Sequence, residues 1–162
     1  MRTRSLRSLV YFGGGLGLIV ALFAAAEFFD ASLTKVCSFG QKFSCGSVDM
    51  SGNTTTFGVQ DWIWGIAGFV AILAIAVVAE RWPKDSRVAY LLLVVTSAGV
   101  ALAFYLLYVE VVEIGSICPV CVTAYAMGGV AWVGAMGLAR KGYRRAHRAR
   151  DDGTSPSQPD PS

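Results

Sequence analysis

Residues 88–112, VAYLLLVVTSAGVALAFYLLYVEVV, then EIGS at 113–116, then ICPVCVTAYAMGGVAWVGAMGLA at 117–139, decide the fold. A helix needs about 20 apolar residues to cross about 30 Å of hydrocarbon at about 1.5 Å per residue. Both long stretches reach that length, and the four residues between them can only reverse the chain. The segment therefore reads as an antiparallel transmembrane hairpin. Two further apolar runs precede it, Leu9 to Phe29 and Trp62 to Ala79. Pro83 ends the second of these, because proline removes a backbone donor and clashes with the preceding turn. The predicted architecture is an all-α membrane protein, a bundle of four transmembrane helices with one large loop over residues 30–61.

Composition agrees. The chain has 162 residues, 54% hydrophobic and 15% charged, whereas soluble domains carry about 25% charged residues. The charges collect between the apolar runs. Glu27 and Glu110 are exceptions, each within about one turn of an expected helix end, and both are expected to reach the headgroup boundary. Residues 1–140 are expected to form the membrane domain. Residues 141–162 then form a basic and afterwards disordered tail, since the last twelve are rich in Ser, Pro, Asp and Gly.

Basic residues set the orientation. If all four runs span, every one of the 14 Lys and Arg residues except Lys35 and Lys42 falls on the side of the termini. Both termini are therefore expected in the cytoplasm, and the loop 30–61 outside the cell membrane. The net charge of +3 needs no nucleic-acid partner, because the basic residues lie where orientation requires them; the tail can touch anionic lipid of the bilayer. The first run also resembles a secretion signal, with Ala24-Ala25-Ala26 as a cleavage site, but its apolar stretch is longer than the usual 7–15 residues. Gly13, Gly14, Gly15 and Gly17 permit close helix contact and do not sit in the strand–turn–helix context of a nucleotide loop.

All four cysteines fall on the expected outer side, where disulfides persist. Cys37 and Cys45 lie in the large loop. Cys118 and Cys121 form Cys-Pro-Val-Cys at the start of the fourth run. A helix start carries partial positive charge from its unpaired N–H groups, which favours a reactive thiolate. Pro119 suits the first turn, where its missing N–H costs little. A two-residue spacing lets a disulfide open and close with small backbone movement. Two structural disulfides in any of three connectivities remain an alternative. A Cys₄ zinc site is a weaker one, and covalent haem attachment fails because residue 122 is Val rather than His. No metal is expected. His147, the single histidine, lies in the tail and reads as a solvated residue.

Four spans, a cysteine pair in the first outer loop and Cys-x-x-Cys opening the fourth span resemble the vitamin K epoxide reductase family in its prokaryotic form, here without a fused thioredoxin-like domain. The segment from Cys118 to Tyr125 is similar to the family's active-site segment, with a tyrosine four residues after the second cysteine. Cys37 and Cys45 have the loop spacing of the vertebrate members, Ser51 matches a serine that the family carries, and Phe57-Gly58 resembles the approach to its second span. Where vertebrate members have a quinone-holding asparagine, this chain has Thr54, with Asn53 beside it. The other bacterial disulfide oxidase, also of four spans with bound quinone, has its cysteine pairs in the reverse order and is an analogy of function alone.

The resemblance implies a thiol–disulfide oxidoreductase. A separate extracytoplasmic thioredoxin-like protein would reduce Cys37 and Cys45, which pass electrons to Cys118 and Cys121. These pass them to a quinone of menaquinone, ubiquinone or vitamin K type, supporting disulfide bond formation. Cys37 is then the outward cysteine and Cys121 the one facing the quinone. Tyr125, Asn53, Thr54, Phe57 and Ser51 are the expected quinone-site residues. By periodicity alone Tyr125 reads as a core aromatic on the face of Cys121. A quinone epoxide reductase using the same cysteines, and a non-enzymatic scaffold with two structural disulfides, are the alternatives. Structural disulfides resist mild reductant and trap no partner.

Overall fold

The computed structural model describes residues 3–30, 55–56, 59–82 and 86–151. The expected site residues Cys37, Cys45, Ser51, Asn53, Thr54 and Phe57 lie outside the described residues. Among the described residues four long helices are present: α1 at Thr3–Phe29, α2 at Asp61–Arg81, α3 at Ser86–Tyr108 with a further turn at Val109–Ile114, and α4 at Pro119–Asp151. All four are long and apolar enough to cross a membrane. Two two-residue strands, β1 at Thr55–Thr56 and β2 at Val59–Gln60, pair antiparallel just before α2. The loop sequence carried no strand pattern, and pairing this short is set by a local chain reversal rather than by alternation.

Each helix packs on its sequence neighbour, and α4 closes the ring against α1. Glycines allow the α1–α4 contact. A Cβ on Gly13 would stand 2.6 Å from the Met127 carbonyl oxygen and 2.7 Å from the Ala131 nitrogen. A Cβ on Gly134 would stand 2.8 Å from the Leu6 carbonyl oxygen. All three distances are closer than real Cβ contacts, so the two backbones approach where side chains are missing. In lipid, where apolar surface gains nothing by leaving its solvent, such close packing is what holds helices together. Val10, Phe69, Ile72, Leu92 and Ala131 form the buried centre. Outward-facing Phe12, Ile19, Val70, Leu91, Phe104 and Tyr105 remain exposed, as expected of a surface that meets acyl chains.

Two polar side chains of α3 and one of α4 are hydrogen-bonded inside the bundle. The Thr96 hydroxyl donates to the Leu92 carbonyl at 2.8 Å, and the Trp132 indole N–H donates to Ser97 Oγ at 3.0 Å, tying α4 to α3. At the end that holds the N-terminus, Arg7 and Glu80 approach to 3.9 Å and Lys141 donates to Thr3 Oγ1 at 3.3 Å. The charged ends of α1, α2 and α4 thus meet, and Cys118 and Cys121 lie at the opposite end. The fourth helix does not stop near Ala139. It runs on to Asp151 and carries the basic residues with it.

The third and fourth helices pack as the expected hairpin, but their connection differs from the expected turn. The last turn of α3, Val109–Ile114, is a π-helix, and Gly115 closes it in the left-handed region at φ 69°. Residues 113 and 114, expected in the turn, belong to this widened coil. Glycine is the residue that takes such a φ at no steric cost. The expectation that Glu27 and Glu110 reach the interface is overturned. They are 3% and 4% exposed, enclosed by protein.

Candidate active site

The site is built on the start of α4. Cys118 stands where a helix N-cap stands, one residue before Pro119, and its carbonyl accepts the first helical bond from the Val122 N–H at 3.0 Å. Its sulfur accepts the backbone N–H of Cys121 at 3.2 Å. An N-cap serine or aspartate oxygen makes this bond to the third helical residue; here a thiol sulfur takes that place. The sulfur therefore sits at the partially positive helix end that the Cys-Pro-Val-Cys spacing predicted.

In a capping box, an acidic side chain three residues into the helix reaches back to the N-cap N–H. That position here is Cys121, which carries no carboxylate. The role passes to Glu110 from the π-helix. Glu110 Oε2 accepts the Cys118 N–H at 3.1 Å. Its other oxygen accepts the Tyr125 hydroxyl at 2.9 Å, and Cys121 lines the same slot as that carboxyl. The Glu110 backbone is fixed as well. Its carbonyl accepts N–H groups from Gly115 and, at 3.2 Å, from Ser116. The extra residue of a π turn reorients its side chains relative to an α-helix. Here that turn carries Glu110, whose carboxyl meets the start of α4.

The two cysteines are unequal. Cys118 is 4% exposed and packs on Ile114 and Val120, while Cys121 is half-buried. The two are joined through the backbone, by the Cys121 N–H on the Cys118 sulfur. Cys121 opens onto a slot between the four helices, whose walls include apolar Val20, Ala24, Leu106 and Val109. Glu110 and Tyr125 share that wall, and Gln60 and Asp61 close it from the start of α2. The space is about 100 Å³, less than the roughly 300–1,000 Å³ of a typical small-molecule pocket. Phe28, Phe29 and Trp62 cluster beside it, with ring centroids 5.6 to 6.1 Å apart.

Cys118, Cys121 and Tyr125 are brought together as the spacing predicted. Tyr125 faces the slot rather than packing as a plain core aromatic, but its one hydroxyl proton is directed at Glu110. Sequence reasoning missed Glu110, Gln60 and Asp61. The signal for Glu110 was present, since an acidic residue within a transmembrane run is a functional candidate by default. Its position near a helix end favoured the interfacial reading.

The family model described as the Vitamin K epoxide reductase family matches residues 8–139. No individually curated protein matches the chain significantly. The chain belongs to the vitamin K epoxide reductase family and is a multi-pass membrane oxidoreductase.

Proposed function

We propose that this membrane oxidoreductase is a quinone-dependent thiol–disulfide oxidoreductase. It takes electrons from an extracytoplasmic thioredoxin-like protein through Cys37 and Cys45 and delivers them through Cys118 and Cys121 to a membrane quinone, supporting disulfide formation outside the cell membrane. One observation carries the reading. Cys121 lines an apolar, helix-enclosed slot together with two hydrogen-bonding side chains, Glu110 and Tyr125, while its partner Cys118 lies directly behind it. A quinone ring has apolar faces and two carbonyl acceptors, which suits such walls.

The transfers balance as thiolate exchange. A thiolate of the partner protein attacks Cys37, forming a mixed disulfide and releasing Cys45 as thiolate. The partner's second thiol closes the partner disulfide and frees Cys37. Cys45 then attacks Cys118 of the Cys118–Cys121 disulfide and releases Cys121. Cys37 attacks Cys45, restoring the loop disulfide and freeing Cys118. Each step forms one sulfur–sulfur bond and breaks one. Cys118 is enclosed by protein, so attack from within the chain suits it better than attack by a soluble protein. The Cys118–Cys121 dithiol finally gives up two electrons and two protons as its sulfurs bond, and a bound quinone supplies the acceptor that leaves as quinol. The sidedness rests on the basic residues: α4 carries Arg140, Lys141 and Arg144 at the end opposite Cys118.

Purified protein given a reduced thioredoxin-like protein and a soluble naphthoquinone should produce quinol, and Cys121→Ala should abolish it. Undiminished turnover in that variant overturns the proposal.

A further inference from the structure

We propose that Glu110 is the general base for the Cys121 thiol and that it passes the proton through Tyr125 to the slot. This rests on the quinone-reducing reading above.

A carboxyl within a transmembrane run is costly, and the usual return is chemistry. Capping the Cys118 N–H alone needs only a neutral acceptor, such as a serine or asparagine side chain. Glu110 does more. It holds the Cys118 N–H with one oxygen and the Tyr125 hydroxyl with the other, and it lines the slot together with Cys121 and Tyr125. Its backbone is fixed by the bonds from Gly115 and Ser116, so the carboxyl is held where the thiol is.

Tyr125 has one hydroxyl proton, and it is directed at Glu110 Oε1. With Glu110 ionised, Tyr125 is therefore not a donor to anything in the slot. Proton uptake by Glu110 reverses this. The Cys121 S–H bond breaks and a Glu110 O–H bond forms. Glu110 then becomes the donor to the Tyr125 oxygen, and the Tyr125 proton is free to turn toward the slot. As the tyrosine gives that proton to a quinone oxygen, it takes one from Glu110, which returns to carboxylate. The Cys118 thiol supplies the second proton, and the two sulfurs bond as two electrons leave for the quinone. Two thiols and one quinone become one disulfide and one quinol. Among the described residues, the titratable groups that share the slot wall with Glu110 are Asp61 from α2 and Cys121 and Tyr125 from α4.

The test uses full-length Glu110→Gln in detergent, on a background with Cys37 and Cys45 replaced by Ala. Without quinone, the rate of Cys121 alkylation by iodoacetamide, located by mass spectrometry, is followed against pH. The expected result is a rate at neutral pH about 10-fold lower than in the Glu110 parent. Single-turnover reduction of a soluble naphthoquinone by the pre-reduced pair should fall about 100-fold, within the usual range for loss of a general base. Glu110→Ala should recover part of that rate with added formate. Asp61→Asn should leave the contrast between Glu110 and Gln in place. An unchanged alkylation profile, or a rate within about 3-fold of the parent, overturns the proposal. If Glu110→Gln does not fold, Tyr125→Phe decides. It should slow quinone reduction while leaving Cys121 alkylation as it was, and an unslowed reaction overturns the relay. A parent protein that makes no quinol at all defeats the quinone reading instead, and the alkylation contrast still decides the role of Glu110 as base.

Discussion

The side chain of Glu110 accepts the backbone N–H of Cys118 at 3.1 Å, joining the last turn of α3 to the first residue of the active-site helix start. The same carboxyl holds Tyr125. One buried group thereby fixes the orientation of the Cys118 backbone and of the tyrosine on the slot wall.

Glu110→Ala should destabilise the protein more than Glu110→Gln. The alanine leaves the Cys118 N–H and the Tyr125 hydroxyl without their acceptor, and each unsatisfied buried group costs about 1–3 kcal/mol. The glutamine keeps one carbonyl acceptor. Thermal unfolding in detergent should rank parent above Gln above Ala; equal midpoints for all three contradict this bridging role.

Gly115 holds φ 69° at the end of the π-helix. A side chain in the left-handed region costs roughly 1–2 kcal/mol. Gly115→Val should lower the unfolding midpoint. It should also disturb the site, because the turn that carries Glu110 closes on this residue. Gly115→Asn should cost less, since asparagine tolerates this conformation better. A valine variant with parental stability would mean that the turn relaxes freely.

Gly13 and Gly134 face the opposite helix backbone. Gly13→Val and Gly134→Val should force α1 and α4 apart, costing at least the 1–3 kcal/mol typical of overpacking. The control is Gly15→Ala, since a Cβ there meets nothing within 4 Å. Heat unfolding of the three variants reads the difference, and a destabilised Gly15→Ala would show that helix seam packing is not the cause.

The Trp132–Ser97 bond ties α3 to α4. Interhelical bonds in membranes average about 0.6 kcal/mol. A double-mutant cycle with Trp132→Phe and Ser97→Ala should return a coupling of that order. A coupling indistinguishable from zero would assign Trp132 to packing alone.

Orientation has a direct check. In intact cells, a membrane-impermeant maleimide should label Cys37 or Cys45 after reduction, and a cysteine placed at Arg148 should react only after the membrane is opened. Labelling of the Arg148→Cys protein in intact cells reverses the assignment.

The membrane fold was legible in the sequence because lipid imposes a length and an absence of charge that no other environment imposes. The runs around residues 9–29, 62–79, 88–112 and 117–139 are long and apolar whatever their packing, and a four-residue connection can only make a hairpin. The approach of Cys118, Cys121 and Tyr125 was equally legible, because residues three and four apart share a helical face. Local spacing could not show what Glu110 does. Its position near the end of an apolar run is the same whether the side chain snorkels outward or turns inward. The choice depends on a π turn, on the left-handed Gly115, and on where the start of α4 presents the Cys118 N–H. These are relations between segments that the chain brings together only when α3 and α4 pack. The sequence by itself determined four helices and a cysteine pair at a helix start; the tertiary structure alone decided that an acid from the preceding helix reaches across the turn to that pair, because the partners it satisfies belong to another helix.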